Sequence, residues 1–96
     1  MSIDHVLAVV PVSDFDAAHA WYERLFGRPA DNEPMAGQLV EWQVTAGGWV
    51  QVGRDATRAG SGLLNFAVDD LDKQLAEIRD PDGNTITFIG HFRVRY

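Results

Sequence analysis

Apolar and polar positions follow two rhythms along this chain. From Ile3 to Val10 the residues read as a strand, with His5, Leu7 and Val9 on one side and Val6, Ala8 and Val10 on the other. Apolar residues on both sides predict a central strand buried on both faces, ended by Pro11. The period then changes. Phe15, Ala18, Tyr22, Leu25 and Phe26 form one stripe of a helix predicted from Asp14 to Phe26. Ser13 stands at its N-cap with Asp16 three residues on, Asp14 and Asp16 suit the positive end of the helix, and Gly27 is its stop signal.

Pro29, Pro34 and Gly37 make the stretch from Arg28 to Gly37 a loop or a poor edge strand. Alternation returns in Leu39 to Thr45 and Trp49 to Arg54, a hairpin around Ala46-Gly47-Gly48. A two-residue turn there puts Trp42, Val44, Trp49 and Gln51 on one face, and a three-residue turn reverses that parity. Asp55 to Gly62 is a polar connection, and Leu63 to Val68 a second core strand. Leu71, Leu75 and Ile78 mark the stripe of a second helix over Asp70 to Ile78. Asp80-Pro81-Asp82-Gly83-Asn84 is a tight turn in which Pro81 presets φ and Gly83 supplies the positive φ. Thr85 to Ile89 leaves it as a strand, with Thr85 and Thr87 on one side and Ile86 and Phe88 on the other.

Val12-Ser13-Asp14-Phe15-Asp16 and Val68-Asp69-Asp70-Leu71-Asp72 repeat in kind. The repeat predicts two related halves of one domain, about residues 3–54 and 63–92. With the Ile3-Asp4-His5 opening, Trp21-Tyr22, Leu25-Phe26-Gly27 and the Asp80–Asn84 turn, the chain resembles the vicinal-oxygen-chelate superfamily. These are the glyoxalase, bleomycin-resistance and extradiol-dioxygenase proteins. The resemblance implies an α+β fold of paired βαβββ modules: a curved, mostly antiparallel sheet around a cavity, with one helix per half on the outer face. It also implies a homodimer whose cavities are completed between chains. One departure stands out. Relatives carry a loop and two strands between the second helix and the turn, whereas here Arg79 alone separates Ile78 from Asp80. Either those strands are absent, which leaves an open sheet edge, or a segment is missing from the sequence at that point.

Ninety-six residues suffice for one domain, and 46% hydrophobic content argues against disorder. A net charge of −6 argues against nucleic acid and anionic membranes as partners. It suits a cationic ligand, and equally a surface that is merely soluble. There is no cysteine, which excludes disulfides, thiolate metal sites and cysteine nucleophiles. No basic leader precedes Asp4 and His5, and no apolar run nears the ~20 residues of a membrane span, so the expectation is a cytoplasmic protein.

In metal-dependent relatives the resemblance implies ligands from the first, fourth, fifth and last strands, facing the cavity. Here those positions fall on His5, on Gln51, near Leu63 and on Thr87. His5 is a competent donor and Gln51 a weak neutral one, Leu63 cannot ligate, and Thr87 stands where metal-binding relatives have glutamate. No carboxylate remains at these positions to offset a dication. No cofactor is therefore expected, and His5 and Gln51 are what is left for a divalent metal. His5 is also the candidate general base, since free imidazole titrates at about 6.5. The alternative is a strand histidine hydrogen-bonded in the cavity wall. His19 belongs on the helix surface, His91 has no evident partner, and Gly60-Ser61-Gly62 is not a nucleophile elbow.

Trp42 and Trp49 beside Gln51 suit a wall for flat or cationic ligands, or else fill core or a dimer interface. Three functions follow. The first is a metal-free small-molecule binder of the bleomycin-resistance type, with His5, Trp42, Trp49, Gln51 and Thr87 around the ligand. The second is a metal-dependent lyase, thiol transferase or dioxygenase using His5 and Gln51. The third is a degenerate fold serving as an interaction module. The missing carboxylates favour the first over the second.

Overall fold

The computed structural model describes residues 1–69 and 75–90. Its elements are β1 (Val6–Val12), α1 (Phe15–Phe26), β2 (Asn32–Met35), β3 (Leu39–Thr45), β4 (Gly48–Arg54), β5 (Leu63–Ala67), β6 (Leu75–Arg79) and β7 (Thr85–Ile89). They form two mixed sheets, ordered β1-β4-β3-β2 and β5-β7-β6. β1 runs parallel to β4 and β5 parallel to β7, while the other pairs are antiparallel. This is an α+β fold. Among the described residues no helix is long and apolar enough to cross a membrane.

α1 starts one residue later than its acidic run suggests. Asp14 is the N-cap, accepting from the Ala17 amide at 3.1 Å, and Gly27 closes the helix at φ 72°. Ser13 is drawn away instead to Asp82, to which its amide donates at 3.0 Å. The stripe of Phe15, Ala18 and Tyr22 packs on Val10, Val12, Val40, Trp42, Val50 and Val52, and Leu64 and Ile86 of the second sheet join the same core. One apolar interior therefore serves both sheets, and only one face of the first sheet is in it.

The other face is open. Leu7 is 47% and Val9 59% exposed, and β1 is an edge strand of its sheet rather than a central one buried on both sides. Its edge position also explains why Pro11 lies within β1 instead of ending it, because a strand with a free edge does not need every amide in the ladder.

The hairpin turn has two residues, with Thr45 paired to Gly48, but the register shifts between Gln43 and Thr45. That bulge places Trp42 opposite Val50 and Gln43 opposite Trp49. One extra residue in one strand moves everything beyond it to the other face. Trp42 therefore does not share a face with Trp49 and Gln51, contrary to the parity expected from the turn alone.

In the second half, Leu75–Arg79 is a strand and not the end of a helix. It pairs with β7, Glu77 opposite Thr87 and Ile78 opposite Ile86, and so supplies the entry side of the Asp80–Asn84 turn. The three apolar positions of the predicted helix were too few to fix a period, and pairing with β7 decides the conformation. The start of that predicted helix, Asp70 to Gln74, lies outside the described residues.

The turn ties the halves together. The Asp80 carboxylate, 5% exposed, accepts from the Tyr22 hydroxyl at 2.8 Å, the amides of Asp82 and Asn84 at 2.9 Å and the Asn84 side chain at 2.8 Å. Asn84 also donates to the Pro11 carbonyl at 2.8 Å and accepts from the Gly62 amide at 2.6 Å. Asp82 accepts from the amide and hydroxyl of Ser13. One turn thus fastens α1, β1 and the lead-in to β5, using carboxylate and amide groups whose hydrogen-bonding capacity is largely filled. Gly60 lets the preceding loop approach: its φ is +87°, and a Cβ there would lie 2.6 Å from the Asp82 carbonyl.

Candidate functional site

The open face of the first sheet is built by register. Leu7 stands beside Trp49 and Val9 beside Gln51 across the β1–β4 pair, while Glu41 faces Gln51 and Gln43 faces Trp49 across β3–β4. His5 precedes β1, is exposed, and sets its ring edge-on to Trp49 with centroids 6.1 Å apart. The Trp49 indole N–H is buried without an acceptor in the described structure. At the Val9, Pro11 and Gly53 end, this face runs into a cleft of about 450 Å³ walled by the loop that carries Asp55, Arg58 and Ser61.

Opposite Gln51 lies a carboxylate that reading along the strands did not single out. Glu41 is half-buried; one of its oxygens accepts from the Gln51 amide at 3.1 Å and the other from Asn32 at 3.5 Å. The ion pairs among the described residues are Arg28–Asp31, Arg58–Asp55 and Arg79–Glu77, and Glu41 is in none of them. The signal for it was the bulge. Once Trp49 and Gln51 are assigned to the face opposite Trp42, Glu41 necessarily joins them.

The other candidates scatter. Trp42 is fully buried on the helix side, donates to the Arg28 carbonyl at 3.0 Å and packs against Phe26 and His19. His19 is accordingly half-buried against Phe15 and Trp42 rather than free on the helix surface. Thr87 is on the second sheet, 9% exposed, between Asn65 and Glu77. Leu63 is 67% exposed beside Thr85. His91 lies outside the described residues. Tyr22, which sequence reading treated as packing, is held as a neutral donor: burial, then the hydrogen bond and charge of Asp80, push its pKa well above the usual tyrosine range.

The donors do not fit the metal site of the metal-dependent relatives. Gln51 pairs with Val9, four residues along from His5, which at about 3.3 Å per residue separates the two by roughly 13 Å along the strands. A divalent ion needs its donors within about 2.0–2.6 Å. Among the described residues no three His, Cys, Asp or Glu side chains gather in a way that could hold one. What the face can do is present an aromatic ring and an oriented carboxylate beside apolar strand residues.

No family model matches the sequence, and no curated protein shows significant similarity to it. Solved structures do. The chain resembles a glyoxalase/bleomycin resistance protein from Catenulispora acidiphila, with 26% identity, 91% of this chain and 97% of that one covered, and a TM-score of 0.83. An antibiotic binding protein from Streptomyces is 26% identical over 94% of this chain and 98% of its own, with a TM-score of 0.70. Lactoylglutathione lyase from Agrobacterium tumefaciens shares the fold at 20% identity and a TM-score of 0.70, covering 88% and 91% of the two chains.

Proposed function

We propose, from the premise that the chain is a vicinal-oxygen-chelate protein of the glyoxalase/bleomycin-resistance kind, that it binds a flat organic cation on the open face of its first sheet. No metal takes part in this reading, and the protein acts as a cytoplasmic homodimer. The observation that carries it is Glu41: a half-buried carboxylate, oriented by Gln51 and Asn32 and outside the ion pairs of the described residues. A carboxylate in that position gains from a cation brought to it, and the neighbouring indole adds a cation–π surface. Leu7 and Val9 supply apolar area. His5 closes one end against Trp49. The likeness to an antibiotic binding protein supports the small-molecule reading. The exposed Leu7, Val9 and Leu63 support a second copy over the same side, which would finish the enclosure.

Isothermal titration with planar aminoacridinium-type cations tests this. Binding in the micromolar range is expected, weakened about tenfold or more by Glu41→Gln and by Trp49→Ala, with the salt sensitivity of an ionic contact. Equal binding by wild type and Glu41→Gln removes the reading. Native mass spectrometry after incubation with Zn, Ni, Mn or Fe(II) tests the enzyme alternative, and stoichiometric metal lost on His5→Ala would favour it.

A further inference from the structure

A second cavity lies on the opposite side of the sheets from Trp49. It is an open cleft of about 400 Å³ between the end of α1, the end of β3 and the helix side of the second sheet. Its wall is aromatic and aliphatic: Phe26, Phe66 and Phe88, with Val44 and Val68. Phe26 meets Phe66 edge-on at 6.2 Å, and Phe66 and Phe88 lie 5.7 Å apart at 31°. All three phenylalanines are half-buried. In the first half the corresponding side of the sheet is covered by α1, and in the second half Phe66 and Phe88 line this space.

The rim decides what charge the cavity accepts. Among the described residues Arg28 is its only charged lining residue, and the guanidinium is already engaged. It donates to the Asp31 carboxylate at 2.9 Å and to the Gln43 carbonyl. The Gln43 amide and Arg28 together hold the Asp31 carboxyl below the usual carboxylate range, so the pair stays ionised and self-neutralised. An anion gains little from a guanidinium already paired, and among the described lining residues a cation meets no carboxylate. A cavity in the 300–1,000 Å³ class that is walled by phenyl rings and neutral at its rim suits an uncharged aromatic molecule of about two rings.

We propose that this cavity is a second binding site, for a neutral aromatic ligand, independent of the cation face. The probe is N-phenyl-1-naphthylamine, an uncharged fluorophore that brightens in apolar surroundings. The expected result is saturable binding of one probe per chain, with amide shift changes at Phe66, Val68 and Phe88 in the wild-type protein. Val68→Glu, which puts a charge in the wall, and Val44→Trp, which fills the mouth, should each weaken binding by about tenfold or more. Absence of saturable binding overturns the proposal, as do shift changes confined to Leu7, Val9, Trp49 and Gln51. Undiminished binding by both variants overturns it too. If the variants fail to fold, the wild-type shift map decides alone.

Discussion

Trp42 and Trp49 stand on neighbouring strands of one sheet and point to opposite sides of it. Trp42 is fully buried, with its indole N–H given to the Arg28 carbonyl and its ring packed on Phe26. Trp49 is half-buried, touches His5, and keeps its N–H unpartnered. The difference lies in what covers each face: α1 roofs one, and nothing in the described chain roofs the other. Residue type alone does not separate a structural indole from an available one. The face does, and a single bulge at Val44 assigns it.

The largest effect should come from breaking that asymmetry on the covered side. Trp42→Ala is expected to cost about 3–5 kcal/mol, since it opens a large cavity in the shared core. Trp49→Ala, on the open side, should cost about 1 kcal/mol or less while weakening binding of the planar cation about tenfold or more. Urea unfolding of both variants, read by far-ultraviolet circular dichroism, checks the pair. Equal destabilisation would show that the Trp49 ring is packed in the folded protein and not left open to a ligand.

Next in size is the Asp80 carboxylate, which binds the two halves where the tryptophans separate two faces. Asp80→Ala strands the Tyr22 hydroxyl and the Asp82 and Asn84 amides, and leaves the Asn84 side chain with only Pro11 to donate to. About 3 kcal/mol should be lost, again by urea unfolding, with cation affinity per folded molecule unchanged. A loss below about 1 kcal/mol would mean that the buried cluster is replaceable by water.

How far the sequence carried these assignments differs by region. The helix over Phe15–Phe26 was legible because its stripe, acidic N-terminus and Gly27 all agree. The hairpin strands were legible too, and the two-residue turn is one of the two lengths the sequence allowed, yet the face of Trp42 was not legible. The bulge depends on how β3 lies between β2 and β4, and no residue near Val44 announces it. β6 was misread because Leu75 and Ile78 sit at a spacing a helix also uses, and only the demand of β7 for a partner settles the matter. The final turn was read correctly as a turn. Its reach to Tyr22, Pro11 and Ser13 could not be read, since contacts so distant in sequence leave no local trace. Glu41 was passed over for the same reason that Trp42 was promoted.

The smallest predicted effect sharpens the latch by pH. Burial and Asp80 raise the Tyr22 pKa in the folded chain above its ordinary 10.0, so the folded state prefers the neutral phenol. That preference stabilises fully below pH 10.0 and is lost as pH climbs toward the folded value, because the unfolded chain releases the proton first. Tyr22→Phe removes one of the hydrogen bonds to Asp80 and should cost about 1 kcal/mol at pH 8. Above pH 10.0 the wild type should lose roughly 1.4 kcal/mol per pH unit more than the variant, so that its advantage of about 1 kcal/mol is gone by about pH 11. Tyr96, the only other tyrosine, is present in both chains and cancels in the comparison. Urea titrations at pH 8 and pH 11 read the gap. A gap that stays constant would show that the hydroxyl of Tyr22 ionises as freely in the folded chain as in the unfolded one, and that the latch is open to water.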